Sequence, residues 1–66
     1  MKVVVNGTPH EFDEDATVAT VVRSFTHAPS GVAVAVNDAV VSRGDWETTA
    51  LHDDDRIEVL TAVQGG

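Results

Sequence analysis

Short β-branched runs separated by turn-forming residues dominate the chain, and they predict strands joined by tight turns. Residues 3–5 are all valine, and the run stops at Asn6 and Gly7, a pair that strongly favours a two-residue hairpin loop. We expect the returning strand over residues 10–12. Because Pro9 has no N–H to donate to a neighbouring strand, this second strand should begin there and lie at a sheet edge.

One amphipathic helix is expected after this hairpin. Its apolar positions recur at the i, i+3, i+4 and i+7 spacing of a single helical face: Val18, Val21, Val22 and Phe25. Either Thr17 or Asp15 can cap the first turn. Threonine and valine are mediocre helix formers, so packing must hold this helix in place. Pro29 and Gly31 mark its exit.

Further strands follow the helix. Residues 32–36 alternate valine and alanine, which predicts a strand with one large and one small face. Residues 37–38 form a turn, and residues 39–41 a short further strand. Ser42 could cap a brief turn through residues 43–46.

The last strand is expected from residue 56 to about residue 62, after a solvated acidic turn at residues 53–55. The order of elements predicts one α+β domain, a sheet of four to five strands packed on one short helix. A single helix covers only one face of a sheet, so the other face is open to solvent or to a partner.

Composition narrows the possible functions. The chain has 66 residues, enough for one domain with a small core, and it has no cysteine. A formal net charge of −7 disfavours nucleic acid as a partner. The acidity suits either simple solvation or steering towards a basic protein. No stretch is apolar and long enough for a signal peptide or a membrane span, so we expect a cytoplasmic protein.

The remaining motifs do not predict a catalytic or metal site. Three histidines lack the spacing of metal ligands and are expected at the surface: His10, His27 and His52. Residues 43–45 spell Arg-Gly-Asp but are expected to be a turn. Residues 53–55 lack the spacing of a calcium loop. Trp46 is expected to pack in or beside the core. Since no acid–base pair or nucleophile set is visible, an independent enzyme is not expected.

The C-terminus carries the candidate chemistry. Gly65 and Gly66 follow the last strand after only Val63 and Gln64. We therefore divide the chain into a domain over residues 1–62 and a tail over residues 63–66. Four extended residues reach roughly 14 Å, which would take the terminal carboxylate clear of the domain. Glycine lets the backbone approach a bound nucleotide closely, although such an end can also simply fray.

With this order of elements and this ending, the chain resembles the ubiquitin-like β-grasp proteins, and among them the ThiS family of sulfur carriers. The residues that carry the resemblance are Val5-Asn6-Gly7, Thr17-Val18, Val34-Ala35-Val36-Asn37, Val40-Val41, Trp46, Leu51, Asp53 to Asp55, Ile57 and Gly65-Gly66. The resemblance implies a mixed sheet in which the first strand lies beside the last and parallel to it.

The resemblance also implies a function in thiamine thiazole biosynthesis. A ThiF-type enzyme would use ATP to convert the Gly66 carboxylate into a glycyl adenylate. Sulfur from a persulfide enzyme would then give a thiocarboxylate, which donates sulfur on thiazole synthase (ThiG). The chain would bind no cofactor of its own. The alternatives are the small subunit of molybdopterin synthase or another sulfur carrier, a ubiquitin-like protein modifier, and an inert interaction module.

Strand alternation predicts where partners dock. Six residues are expected to face the helix: Val3, Val5, Val34, Val36, Ile57 and Val59. Their neighbours then face outward: Val4, Ala33, Ala35, Glu58, Leu60 and Ala62. An outward leucine between alanines, close to the reactive end, is typical of a partner patch. We expect Leu60, Ala62, Val63, Glu58, Ala33 and Ala35 to contact both partner enzymes, with Gln64 and Gly65 presenting Gly66.

Overall fold

The predicted elements are present in the predicted order. The structure is a computed structural model that describes residues 1–26 and 31–61. Its elements are β1 (Lys2–Val5), β2 (Thr8–Glu11), α1 (Val18–Phe25), β3 (Val32–Val36), β4 (Ala39–Val41), a 3₁₀ helix (Arg43–Asp45) and β5 (Arg56–Thr61). Pro29, His27 and the predicted last strand residue, 62, lie outside the described residues.

The five strands form one mixed sheet in the order β2-β1-β5-β3-β4. β5 is therefore the central strand of the sheet, although it is the last strand in the sequence. It pairs in parallel with β1, where Val4 is opposite Arg56 and Val5 opposite Ile57. The other pairings are antiparallel. This confirms the parallel first and last strands that the family resemblance implied.

The edge position of β2 is also confirmed. β2 pairs with β1 alone, from Thr8 opposite Val5 to Glu11 opposite Lys2. The strand begins at Thr8, one residue earlier than predicted from Pro9. Pro9 lies within the strand, where an edge position tolerates the missing N–H.

The core lies between α1 and the inner face of the sheet. The residues predicted to face the helix do so: five are buried, and Val36 packs against the core from its margin. Ile57 on β5 is completely buried, as are Val18 and Val21 on α1. Full burial of such a side chain contributes about 1.5–3 kcal/mol. Phe25 departs from the predicted helical face because it is the last helical residue, and it is 44% exposed.

The ends of α1 are stabilised by backbone and side-chain hydrogen bonds. Thr17 is the N-cap: the Thr20 N–H donates to its hydroxyl, and the Thr17 N–H donates to the Thr20 hydroxyl. Of the two predicted caps, Thr17 is thus the one used. At the other end the Thr26 N–H donates to Val22 O over 3.0 Å. These bonds stabilise a helix of only eight residues, which the intrinsic helix propensity of its residues would not hold together.

The segment after β4 is a 3₁₀ turn closed by a buried tryptophan. The predicted cap at Ser42 is wrong in detail, because its side chain makes no capping bond and its carbonyl accepts from the Asp45 N–H instead. Trp46 is buried, as predicted, and its indole N–H donates to Val41 O over 3.1 Å. The predicted turn at residues 43–45 is therefore fixed from its C-terminal side by the core.

Both hairpins have two-residue loops with positive φ angles. Asn6 and Gly7 have φ angles of 50° and 85°, while Asn37 and Asp38 have φ angles of 49° and 72°. Two successive positive φ angles are typical of the type I′ turn, which suits the twist of the strands. The loops differ at the second position. Gly7 adopts its positive φ angle without strain, whereas the side chain of Asp38 makes the same backbone conformation unfavourable.

We expect Asp38→Gly to raise the free energy of unfolding by about 0.5 kcal/mol, because it relieves a left-handed backbone conformation. The exposed ion pair between Asp38 and Arg56 that it removes spans 3.7 Å and contributes little. Urea denaturation measures the change.

The matched substitution is Gly7→Ala, where a Cβ would meet nothing within 4 Å. Its conformational cost alone should lower stability by about 1 kcal/mol. A destabilised Asp38→Gly chain would contradict the strain argument.

Candidate functional site

The strand that leads to the C-terminus occupies the centre of the sheet. β5 ends at Thr61, paired with Val32 on β3. Two predicted docking residues, Ala62 and Val63, follow directly and lie outside the described residues. So do Gln64 and Gly65, predicted to present the tail, and Gly66, predicted to react. The structure therefore describes the strand that precedes these residues and the surface around that strand.

Four of the predicted docking residues come together on the outer face of the sheet, opposite α1. We call Ala33, Ala35, Glu58 and Leu60 the outer patch. Ala33 is opposite Leu60, and Ala35 is opposite Glu58. Leu60 is 64% exposed, whereas Val59 before it is buried on the inner face. The predicted alternation is thus confirmed for the described residues, and it creates a shallow apolar surface beside the end of β5.

Val40 is an exposed hydrophobic residue that strand alternation alone did not single out. It lies opposite Ala35 on the edge strand β4 and is 81% exposed. It therefore shares the outer face of the sheet but lies two strands away from Leu60. The sequence signal that could have identified it is the hairpin register, since the loop at residues 37–38 determines which residue of β4 is opposite each residue of β3.

The acidic run at residues 53–55 forms the expected turn, but its carboxylates are not simply solvated. Asp53 accepts the backbone N–H of Lys2 over 2.7 Å, and Asp54 lies 3.0 Å from the Lys2 ammonium. Asp55 accepts from the Asn37 side-chain amide over 3.0 Å. The turn thus links the beginnings of β1 and β5 to the β3–β4 hairpin.

The N-terminal ammonium lies at this same end of the sheet. It donates to Phe12 O over 2.8 Å and lies 3.5 Å from Glu14 and 3.6 Å from Glu11. Desolvation lowers the pKa of this ammonium, but the attraction of Glu14 and Glu11 outweighs it and the net pKa is raised. An open depression of about 550 Å³ adjoins it, lined largely by acidic residues. This acidic end is where β5 begins, whereas the tail leaves from the other end.

Neither a metal centre nor a membrane helix is found in the described part of the chain. Within residues 1–26 and 31–61, no three His, Asp or Glu side chains are grouped so that they could hold a metal ion. No helix in these ranges is long and apolar enough to cross a bilayer. His10 lies beside Phe25, with their rings 5.1 Å apart, and His52 is exposed.

Asp54→Asn should lower the pKa of Lys2 towards its ordinary value of 10.5. The hydrogen bond and the charge of Asp54 raise this pKa in the folded chain. The ion pair therefore contributes to stability below pH 10.5, and the contribution is lost as the pH rises through the folded-state pKa. An NMR titration of the Lys2 side chain measures the shift. Asparagine tolerates the φ of 71° at this position, so an unchanged pKa would disprove the pairing.

Comparison with known proteins identifies the family. A family model described as the ThiS family matches residues 3–66. The chain belongs to the ThiS family. The match includes the segment beyond Thr61, so the family pattern runs through the terminal glycines as well as the described domain.

Two solved structures share the β-grasp fold of this ThiS-family chain. The crystal structure of the thiamine biosynthesis protein ThiS from Geobacter metallireducens is 30% identical, with a TM-score of 0.78 and full coverage of both chains. A solution structure of a thiamine biosynthesis protein from the same organism is also 30% identical. It has a TM-score of 0.81 over all of this chain and 88% of that one. The ubiquitin-like β-grasp architecture is thus confirmed.

A curated relative is a larger protein. A thiazole synthase from Magnetococcus marinus is 41% identical over 66 residues, which are 100% of this chain and 20% of that protein. The ThiS-family chain therefore spans about a fifth of the length of this relative. A segment similar to this chain thus occurs within a single polypeptide with a thiazole synthase.

Proposed function

We propose that this ThiS-family chain is a sulfur carrier of thiamine biosynthesis, with Gly66 as its reacting residue. The observation that carries the proposal is the family match over residues 3–66, which extends from the β-grasp domain through the Gly-Gly ending. The similarity to a thiamine biosynthesis ThiS structure over the full length of both chains supports it. The division into a domain over residues 1–62 and a tail over residues 63–66 is part of the proposal.

The chemistry follows from the weakness of a carboxylate as an acyl donor. On a ThiF-type enzyme, the Gly66 carboxylate attacks the α-phosphorus of ATP. A glycyl adenylate forms, and pyrophosphate is the leaving group. The terminal sulfur of a persulfide then attacks the acyl carbon and displaces AMP, which gives an acyl disulfide. A thiol reduces this S–S bond, releasing the thiocarboxylate and leaving a disulfide on the sulfur donor. The chain has no cysteine, so in this scheme the sulfur is carried only at its terminal carbon. The chain is a co-substrate, and its partners supply the catalytic groups and bind the ATP.

The partner that receives the sulfur is proposed to be a thiazole synthase. The support is the Magnetococcus marinus thiazole synthase, one fifth of which corresponds to this chain. Segments that occur within one polypeptide are held at a high effective concentration, an arrangement suited to two parts that act on each other. The activating ThiF-type enzyme and the persulfide enzyme are proposed as the partners that the family resemblance implies.

The outer patch is proposed to dock both partners. Leu60 projects from the strand that leads to the tail, and the alanine opposite it, Ala33, leaves it accessible from the side. Ala62 and Val63 would continue this apolar surface towards Gly66. Complete burial of one leucine contributes about 1.5–3 kcal/mol, enough to change affinity by one to two orders of magnitude.

Intact-mass measurement tests the proposed chemistry. The chain is incubated with ATP, a ThiF-type enzyme and a persulfide sulfur source. We expect the replacement of one oxygen by sulfur at the C-terminus, and no change in a variant that lacks Gly66. Conjugates to lysine would instead identify a protein modifier, and an unchanged mass would contradict the carrier function. Complementation of a thiamine auxotroph then distinguishes the thiazole pathway from molybdopterin synthesis.

Leu60→Glu tests the docking surface. We expect KM for the ThiF-type enzyme to rise about tenfold or more, because a charge replaces the buried contact. The comparison variant is Val40→Glu, which places the same charge on the same face at the β4 edge, opposite Ala35 and two strands from Leu60. Its effect on KM should be clearly smaller than that of Leu60→Glu. Both residues are exposed, so both variants should fold. Equal KM values for Leu60→Glu and the unmodified chain would exclude the outer patch as the docking site.

A further inference from the structure

The Asn6 side chain continues the β1–β5 ladder beyond the point where β1 turns away. The last backbone bond between the two strands runs from the Asn6 N–H to Ile57 O over 3.0 Å. Beyond this bond, the Asn6 side chain makes the hydrogen bonds to β5. The Val59 N–H donates to Asn6 Oδ1 over 2.9 Å, and Asn6 Nδ2 donates to Val59 O over 3.2 Å. One side-chain amide thus satisfies both backbone groups of a residue on the central strand.

This pairing has a physical reason. A primary amide offers the same donor and acceptor as a peptide group, so it can stand in for the strand residue that β1 does not supply. The backbone groups of Val59 are part-buried, and leaving them unpaired would cost stability. Val59 lies two residues before Thr61, where β5 ends. The amide therefore fastens the strand close to where the tail begins.

Position 6 also has to satisfy the hairpin. Its φ angle of 50° lies in the left-handed region, which asparagine and glycine adopt more readily than other residues. Glycine would keep the turn but lose the amide. Asparagine meets both requirements, the turn and the two bonds to Val59.

A second turn asparagine makes a similar contact at the other end of β5, from the β3 side. The Asn37 N–H donates to Arg56 O over 2.7 Å, and the Arg56 N–H donates to Asn37 Oδ1 over 3.0 Å. The φ angle of Asn37 is 49°, nearly the same as that of Asn6. The chain thus contains its own control, because both asparagines have a left-handed backbone and each accepts a β5 N–H with its Oδ1, but at opposite ends of the strand.

We propose that Asn6 is a positioning residue that fixes the direction in which the end of β5 delivers the C-terminal carboxylate. The proposal rests on the proposed carrier function. Adenylation needs the carboxylate at attack distance from the ATP phosphorus, and a small misplacement of a reactant costs a large factor in rate. Leu60 remains paired with Ala33 on β3 when the β1 side of the strand is released. Such a chain would therefore bind the partner through the outer patch as before, but would place Gly66 correctly less often.

The test compares Asn6→Gly with Asn37→Gly. In Asn6→Gly we expect amide hydrogen exchange at Val59, measured by NMR, to speed up about tenfold or more relative to Asn37→Gly, since the Val59 N–H loses its acceptor. With a ThiF-type enzyme, kcat for pyrophosphate release should fall about tenfold in Asn6→Gly while KM stays the same. Asn37→Gly should keep both constants, although it also loses stability.

Three results would overturn the proposal. Unchanged exchange at Val59 in Asn6→Gly would show that the amide does not hold the strand end. An equal fall of kcat in both variants would assign the effect to general stability. An unchanged kcat in Asn6→Gly, despite faster exchange, would show that the strand end does not set the rate. If the unmodified chain releases no pyrophosphate, the carrier function itself fails, and the exchange data still decide whether Asn6 holds β5.

Discussion

The parallel pairing of β1 with β5 is the constraint on which the rest of the structure depends. It brings the last strand into the middle of the sheet, with β1 on one side and β3 on the other. Ile57 and Val59 consequently point into the core against α1, while Glu58 and Leu60 point out. The same strand thus contributes to the core and to the outer patch. The residues beyond Thr61 thus follow a strand that is paired with β1 at its beginning and with β3 along its length.

Local patterns in the sequence predicted most of the elements, because each depends on neighbouring residues. The valine runs, the loop at Asn6 and the cap at Thr17 all report on their own surroundings. The alternation of residues 32–36 was enough to assign the faces of β3. The pairing of strands distant in sequence was different, since no period in the chain specifies that β1 lies beside β5; only the family resemblance implied it. The position of Val40 depended likewise on the register between strands.

The departures from expectation have a common physical origin in contacts between residues far apart in sequence. Phe25 fits the helical period but lies at the end of the helix, where the core no longer covers it. The acidic turn was expected to be solvated, yet its carboxylates hold groups of β1 and of the β3–β4 hairpin. Asn6 was recognised as a turn residue, whereas its bonds to Val59 span more than 50 positions. Composition and periodicity carry no information about such partners.

The central position of β5 also bears on how the protein is made. Before residues 56–61 leave the ribosome, the β1–β2 and β3–β4 hairpins have no strand between them, so the nascent chain holds two halves of a sheet. Isolated two-stranded hairpins are marginally stable in water. Folding of this domain must therefore wait until β5 has been synthesised, and the long sequence separation of the final pairings makes it slower than that of a helical protein of this size. A molecule in which the sheet is complete is consequently one in which β5 has already been made, so any binder specific for the complete sheet would not bind shorter, unfinished chains.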